Sequence, residues 1–499
     1  MTVETAIAGL SPGTTWRNWG RTQSVQPLMM ATPSSVEEVS AIVRFARERD
    51  FTVKTVGAGH SFSAIARAQD VQLDVSRIEG LLAVDGPRKQ VTLGAGTNLH
   101  QLPALLLPHG LALPNMGDID RQTIAGATST GTHGTGARFP GLAAQIVAVT
   151  MVTADGSVLR ISETENPELL PAARLGLGAL GILVDLTLQC VPSFLLHAVE
   201  RPGGFSEVLD GLEQRAAAVD HFEFYWWPHT DGVMTKSNTR LPADAERHPV
   251  GAVAAFVEDR IVSNAVLALL CNVGRLAPAI TPRINRRATR VYGNRTYTDH
   301  SHEVFVSRRT TRFREMEYAI PRAAIPDALR DIRSLIDSRG WTISFPVEVR
   351  VAAADDNWLS TASDRDSGYI AVHRYFRDDP EEYFRGVEQI MRGYQGRPHW
   401  GKIHYQGAES LAEVYPHHAR FAELVGVAGA RWPIEECFGS AKNEVGLDHY
   451  QVRTYNAWHR HITLAMVAHT FLAITAHTTK KRGPSTPNSQ KKTISHPAS

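Results

Sequence analysis

Residues 111–136 read LALPNMGDIDRQTIAGATSTGTHGTG, a run in which Gly126, Gly131, Gly134 and Gly136 are interleaved with Thr and Ser. Closely spaced glycines let the backbone reach positive φ and turn its N–H groups toward an anion, which is how chains cradle a pyrophosphate. Two smaller clusters precede it, Gly57-Ala58-Gly59-His60-Ser61 and Gly94-Ala95-Gly96. Neither common nucleotide fingerprint fits. Phe62 and Leu99 stand where G-x-G-x-x-G needs its third glycine, and no cluster carries the lysine of a Walker loop. Tight turns in a β-rich domain are the competing explanation, and spacing alone leaves both open.

The flanks supply the secondary structure. Ser35-x-x-Glu38 has the form of a capping box ahead of Val39, Ile42, Val43 and Ala46, whose spacing predicts an amphipathic helix. FTVKTVGAGHS (51–61), VQLDVS (71–76), LLAVDG (81–86) and QVTLGAG (90–96) are short β-branched runs that predict successive strands with tight turns. A nucleotide-type domain mixing helices and strands is therefore expected over the first 195 or so residues. Beyond it, IPDALRDIRSLIDS (325–338) has helical periodicity, while HFEFYWW (221–227), SFPVEVRVA (344–352) and YIAVHRY (369–375) are strand-like. That mixture predicts a second, α+β domain.

Composition bounds the class. The chain has 499 residues, 52 Lys plus Arg against 51 Asp plus Glu, and 43% hydrophobic residues, an ordinary globular balance that excludes a disulfide-stapled scaffold and a global polycation. Cys190, Cys271 and Cys437 are far apart, which removes the usual zinc spacings and suits a reducing compartment. The opening MTVETAIAGLSPGTTW has no basic stretch followed by an apolar run, so a cytoplasmic protein is expected. The apolar run 462–476 (ITLAMVAHTFLAITA) falls short of the roughly 20 residues that a membrane span needs. Only nine of the 52 basic residues are lysines, and Lys480, Lys481, Lys491 and Lys492 crowd the end. Residues 478–499 are accordingly expected to form a disordered, solvated basic tail with no nucleic-acid partner.

Glu348 and Arg350 lie two apart on a predicted strand, so both side chains share one face. On the residues alone, a solvated edge or a structural ion pair is the commoner explanation of such a pair.

VGAGHSFS (56–63), the 111–136 run and LGALGILVDLTL (177–188) together resemble the flavin domain of the vanillyl-alcohol-oxidase superfamily. Within it, aldonolactone oxidoreductases (gulonolactone and arabinonolactone oxidases) and alditol oxidases are the most similar. EMEYAIPR (315–322), FPVEVR (345–350) and RPHWGK (397–402) extend the resemblance over about residues 14–424. It implies an α+β architecture: a PCMH-type FAD-binding domain at 14–195, a substrate or cap domain at 196–395, and a return segment at 396–424. Glycine loops then hold the FAD pyrophosphate without a Rossmann fold.

By the same resemblance, Gly57, Gly59, Ser61, Gly117, Thr123, Gly126, Thr130, Thr132, His133 and Ile182 lie along the FAD, with His133 equally readable as a satisfied loop residue. His60 falls where covalent members attach the flavin; a neutral imidazole nitrogen suits attack on the flavin's activated methyl carbon. Glu348, Arg350 and Lys402 match the family's catalytic residues, and Asp118 and His373 its substrate-facing positions. The implied reaction oxidises L-gulono- or D-arabinono-1,4-lactone at the carbon-2 CH–OH by hydride transfer to flavin. Arg350 and Lys402 would meet the developing negative charge, and Glu348 would orient the sugar hydroxyls. His399 and Trp400 are expected to pack around the flavin, and no metal is expected because His399 has no partner at ligand spacing. Gly117 stands where some relatives carry a bulkier residue that blocks oxygen, so either oxygen or a redox partner is allowed as acceptor. Membrane association is expected to be peripheral at most. The competing functions are an alditol oxidase acting on open-chain polyols, and an inactive fusion product or nucleic-acid-associated remnant.

That remnant comes from the carboxy end. After residue 424 the chain leaves the family pattern, and residues 431–476 resemble the end of an insertion-sequence DDE transposase, with Arg431, Glu435 and Lys442 at its Arg-x3-Glu-x6-Lys spacing. Ala428 replaces the expected tyrosine, and the two partner aspartates are missing, so no two-metal site and no transposition are expected. A transposase-like segment at 425–477 is expected to expose Ile462, Met466, Phe471 and Leu472, an aggregation liability.

Overall fold

The computed structural model describes residues 8–251, 267–291, 294–307 and 311–427. The expectations for the transposase-like segment and the basic tail lie outside them, apart from residues 425–427.

The capping signal works with one change. The Ser35 side chain accepts the Glu38 N–H at 3.3 Å and starts a helix over Val36–Glu48 that buries Val39, Ile42, Val43 and Ala46. The Glu38 carboxylate does not return to Ser35; it accepts the N–H and hydroxyl of Ser34, at 2.6 and 3.0 Å. The four predicted strand runs divide between two sheets. Val53–Val56 and Val71–Asp74 pair in parallel with each other, and Val71–Asp74 also with Met29–Ala31, in a four-stranded sheet. The Val36–Glu48 helix makes the long connection that parallel pairing requires. Leu81–Asp85 and Gln90–Gly94 form a hairpin at one side of a five-stranded antiparallel sheet completed by Ile182–Gln189, Ile146–Val152 and Val158–Ser162. One core joins both sheets through Val39, Leu73, Leu93, Val149 and Leu186.

The second half is built on an eight-stranded antiparallel sheet in the order Arg295–His300, Phe194–Gly204, Gly232–Pro242, His221–Trp226, Val347–Ala352, Ser367–Tyr375, Phe313–Pro321, Arg397–Pro398. Strand alternation divides its faces. Phe222, Phe224, Trp226, Val347, Val349, Val351, Ile370 and Val372 pack in a core with the helices Ile325–Arg339 and Glu381–Gly393. The intervening residues must point the other way. They include Glu223, Tyr225, Glu348, Arg350, His373, Glu315 and Glu317, so this buried face carries the chemistry.

The segment after Arg397–Pro398 continues along the sheet margin, with the His399 and Ile403 N–H groups donating to Glu317 O and Glu315 O, both at 3.0 Å. It also locks onto the glycine loop of the first half: Phe62 N–H donates to Gly401 O at 2.7 Å, and the Ser63 hydroxyl to Trp400 O at 2.8 Å. Trp400 itself turns into a separate cluster, stacked on Tyr415 and donating to Leu359 O at 2.7 Å. Among the described residues, no helix is long and apolar enough to cross a membrane.

Candidate active site

The charged face is organised in two adjacent cross-strand rows. One runs Tyr225, Glu348, Ala371, Glu317, and the next runs Glu223, Arg350, Tyr369, Ala319. Arg350 is buried, and its nitrogens are divided among three carboxylates. Nε donates to Glu223 at 3.1 Å, while Nη2 pairs with Glu348 and lies 3.5 Å from Asp118. The Tyr225 hydroxyl donates to Glu348 Oε1 at 3.1 Å. Burial opposes the guanidinium charge, but Glu348, Asp118 and Glu223 outweigh it and hold Arg350 well above its ordinary range.

Lys402 supplies the second cation. Its ammonium pairs with Glu315, whose other oxygen lies 3.6 Å from His373 Nε2. His373 is fixed from behind by a 3.2 Å contact between Nδ1 and Pro346 O. Against burial, Glu315 first and then Glu317 raise the Lys402 pKa, while Lys402 and His373 hold the Glu315 carboxyl well below its usual range despite its own burial. The structure thus brings Glu348, Arg350, Asp118, His373 and Lys402 to one face. It adds Glu223 and Glu315, which the sequence did not single out. The available signal was acid at alternate positions of an aromatic or apolar strand, one in HFEFYWW and two in EMEYAIPR.

His133 is satisfied by protein. Its Nδ1 contacts Gly134 O at 2.9 Å, its Nε2 lies 3.3 Å from Glu317, and its ring stacks on Tyr369 with centroids 3.5 Å apart. His399 does have neighbours at ligand distance, contrary to the expectation from spacing along the chain: one ligand atom each from His133, Glu317 and His399 lie within 4.8 Å of one another. These residues come together only in space, and His399 Nδ1 already accepts the Gly401 N–H at 3.0 Å. Burial pushes His399 down to about 3, so it is neutral.

The glycine loops converge around Thr123, which caps the Ile124–Ser129 helix by accepting the Gly126 N–H at 3.2 Å. A Cβ on Gly57 would lie 2.3 Å from Thr123 Oγ1, so only glycine permits that approach. Gly59 has φ +68° and its carbonyl accepts the Trp19 N–H at 2.8 Å, turning the chain so that His60 stacks on Trp19. The Ser61 carbonyl accepts from Asn18 at 2.8 Å. Thr130 donates to Gly126 O at 3.0 Å, Thr132 bonds Gln122, and Ile182 is fully buried in the core behind. Gly117 faces Thr132 and the His133 carbonyl.

One buried polar atom in this region has no protein partner: His60 Nδ1. Burial, then the charges of Lys402 and Arg121, lowers the His60 pKa to about 4, so the imidazole is neutral and keeps a nitrogen lone pair. A glycine cradle beside an unsatisfied neutral imidazole fits a flavin nucleotide.

Residues 27–162 match the FAD binding domain family, and residues 186–426 match the D-arabinono-1,4-lactone oxidase family. Cholesterol oxidase from B. sterolicum shares the fold, with a TM-score of 0.67 at 18% identity over 87% of this chain and 95% of its own. The fold and site therefore define an FAD-dependent oxidoreductase with a PCMH-type FAD-binding domain. L-gulono-1,4-lactone dehydrogenase of Mycobacterium tuberculosis is 42% identical over 82% of this chain and 94% of its own, and L-gulonolactone oxidase of Bos taurus is 35% identical over 83% and 94%. The chain belongs to the aldonolactone oxidoreductase family.

Proposed function

We propose that this enzyme oxidises L-gulono- or D-arabinono-1,4-lactone at the carbon-2 CH–OH, using Glu348, Arg350 and Lys402 as catalytic residues and Asp118 and His373 to bind the lactone. Residues 14–195 would hold FAD, 196–395 would form the substrate domain, and 396–424 would deliver Lys402. The observation that carries this reading is the placement of two cations, buried Arg350 and half-buried Lys402, at one sheet face, with Lys402 on the segment that bonds the His60 loop.

When bound, FAD supplies the hydride acceptor. The protein's part is electrostatic. Negative charge gathers on the carbon-2 oxygen as its proton passes to the carboxylate of Glu348 that accepts from it, and is relieved as hydride leaves and the carbonyl forms; fixed cations stabilise that charge without reorganisation. Arg350 offers its guanidinium and Lys402 its ammonium. Glu348, steadied by Tyr225, accepts from the sugar hydroxyls and orients the ring. The test is anaerobic flavin reduction by each lactone against xylitol and sorbitol. Faster reduction by the polyols would make the enzyme an alditol oxidase instead.

Gly57, Gly59, Ser61, Thr123, Gly126, Thr130 and Thr132 would line the FAD, with His133 and Ile182 supporting the loop from the core and His60 as the attachment residue. Acid-precipitated wild-type protein is then expected to keep its yellow colour in the pellet, and His60→Ala to release flavin to the supernatant. Colour retained in the His60→Ala pellet would assign the link elsewhere.

For the electron acceptor, Gly117 leaves room for oxygen. A Cβ there would lie 3.1 Å from Thr132 Cγ2 and 3.2 Å from His133 O, so those atoms must shift by a few tenths of an ångström to admit a methyl group. Gly117→Ala is expected to cut oxygen consumption about tenfold, equivalent to roughly 1.4 kcal/mol of barrier, while dye reduction persists. Equal loss with both acceptors would remove Gly117 from the oxygen path.

A further inference from the structure

Across five neighbouring strands of the large sheet, the Cα partners Arg295, Glu200, Lys236, Glu223 and Arg350 form a single row. Direct partners in an antiparallel sheet project to the same side, so these five charges, alternating in sign, lie on one face. Arg295 holds Glu200 through two nitrogens, at 2.7 and 2.9 Å. Lys236 lies 3.8 Å from Glu223 Oε1 and donates to Val304 O at 2.8 Å, while Glu223 Oε2 accepts from Arg350 Nε at 3.1 Å. Glu223 therefore bridges two buried cations with separate oxygens. The Arg295 side chain is 35% exposed, whereas those of Lys236, Glu223 and Arg350 are 9% exposed, so the row runs from the surface into the site.

Buried ion pairs of this kind add little net stability over apolar packing of the same shape, because desolvation offsets their attraction. What they add is direction. A guanidinium with its Nε edge fixed has its other edge fixed too, and a carboxylate tethered on both oxygens cannot swing away when substrate arrives. Glu348 and Asp118 meet the guanidinium at Nη2, so Glu223 on Nε adds a second point of attachment.

We propose that Glu223 is a positioning residue for the oxidation: it clamps the Nε edge of Arg350 and so fixes the plane in which the guanidinium meets the substrate oxygen, and Lys236, backed by Glu200 and Arg295, holds Glu223 in place. This rests on Arg350 being the substrate-facing cation.

The test uses the purified FAD-loaded enzyme and its lactone substrate, with kcat, KM, flavin content and melting temperature measured together. Glu223→Gln keeps the shape and removes the charge. Its kcat is expected to fall by about ten- to fiftyfold with KM changed less than about threefold and flavin content unchanged, the pattern of an interaction needed in the transition state. Its melting temperature falls as well, because Lys236 loses its nearest carboxylate. The double variant Glu223→Gln with Lys236→Met leaves neither group buried and unpaired, so it recovers melting temperature while kcat stays low; it also serves if the single variant fails to fold. Joint recovery of melting temperature and kcat would make Glu223 merely structural and overturn the proposal, as would a Glu223→Gln kcat within about twofold of wild type. Arg350→Lys is run in parallel. If it keeps wild-type kcat, the reading of Arg350 falls first and this one with it; if it loses kcat while Glu223→Gln does not, only the ladder is refuted.

Discussion

Arg350→Lys is expected to bind FAD as the wild type does and to lose about 10²–10³ in the rate of anaerobic flavin reduction by the lactone, the scale seen when one fixed donor to a developing oxyanion is removed. The charge is conserved in this variant, so the loss tests geometry. An ammonium is one compact point of charge on a flexible stem. It cannot meet Glu223 on one side, as Nε does, and Glu348 and Asp118 on another, as Nη2 does, and still present a planar edge to substrate. With three carboxylates competing for it, the ammonium settles among them. A variant that keeps more than about half the wild-type rate would mean that net charge alone suffices and that the planar fork is not used.

The second large effect is on stability and its pH dependence. In the wild type the folded-state pKa of Glu315 is held well below the ordinary carboxylate value by Lys402 and His373 in spite of burial. The stability contributed by that shift is present above the unfolded-state pKa and is lost as pH falls through the folded value. Lys402→Met reverses the sign. The buried carboxylate loses its ammonium, desolvation dominates, and its folded pKa rises above the unfolded one. The variant is then destabilised at neutral pH by about 3–5 kcal/mol, the usual cost of leaving one member of a buried pair. Part of that deficit returns as the solution is acidified toward pH 5, because a protonated Glu315 no longer needs a cation. Denaturant midpoints of both proteins at about pH 5 and pH 8 decide the matter. A wild-type-to-variant gap of the same size at both would show that Glu315 is not an ionised partner of Lys402.

These two cations illustrate what the chain discloses on reading and what it withholds. Local signals were legible. Ser35 did cap a helix, the β-branched runs did form strands, and alternation did place Glu348 and Arg350 on one face. The partners of those groups were not legible, because they come from strands remote in sequence: Glu223 is 127 residues from Arg350, and Glu315 is 87 residues from Lys402. Only the sheet order brings them together. The same holds for His399, whose neighbours His133 and Glu317 gather from other elements. The long strands Phe194–Gly204 and Gly232–Pro242 also escaped notice. Charged and hydroxylated residues such as Glu200, Thr235 and Lys236 are buried there, so apolar alternation was never written into them.

The contact between the His60 loop and the segment carrying Lys402 fixes when this enzyme can be completed. Ser63 and Trp400 are joined by a hydrogen bond across 337 positions of chain. At translation rates of about 5–20 residues per second, roughly 20–70 s separate synthesis of the two halves of that contact. The nucleotide cradle leaves the ribosome long before the lysine that faces it exists. A nascent chain can therefore fold its amino-terminal half and offer the cradle early, but the reaction centre is finished only once synthesis has passed residue 402.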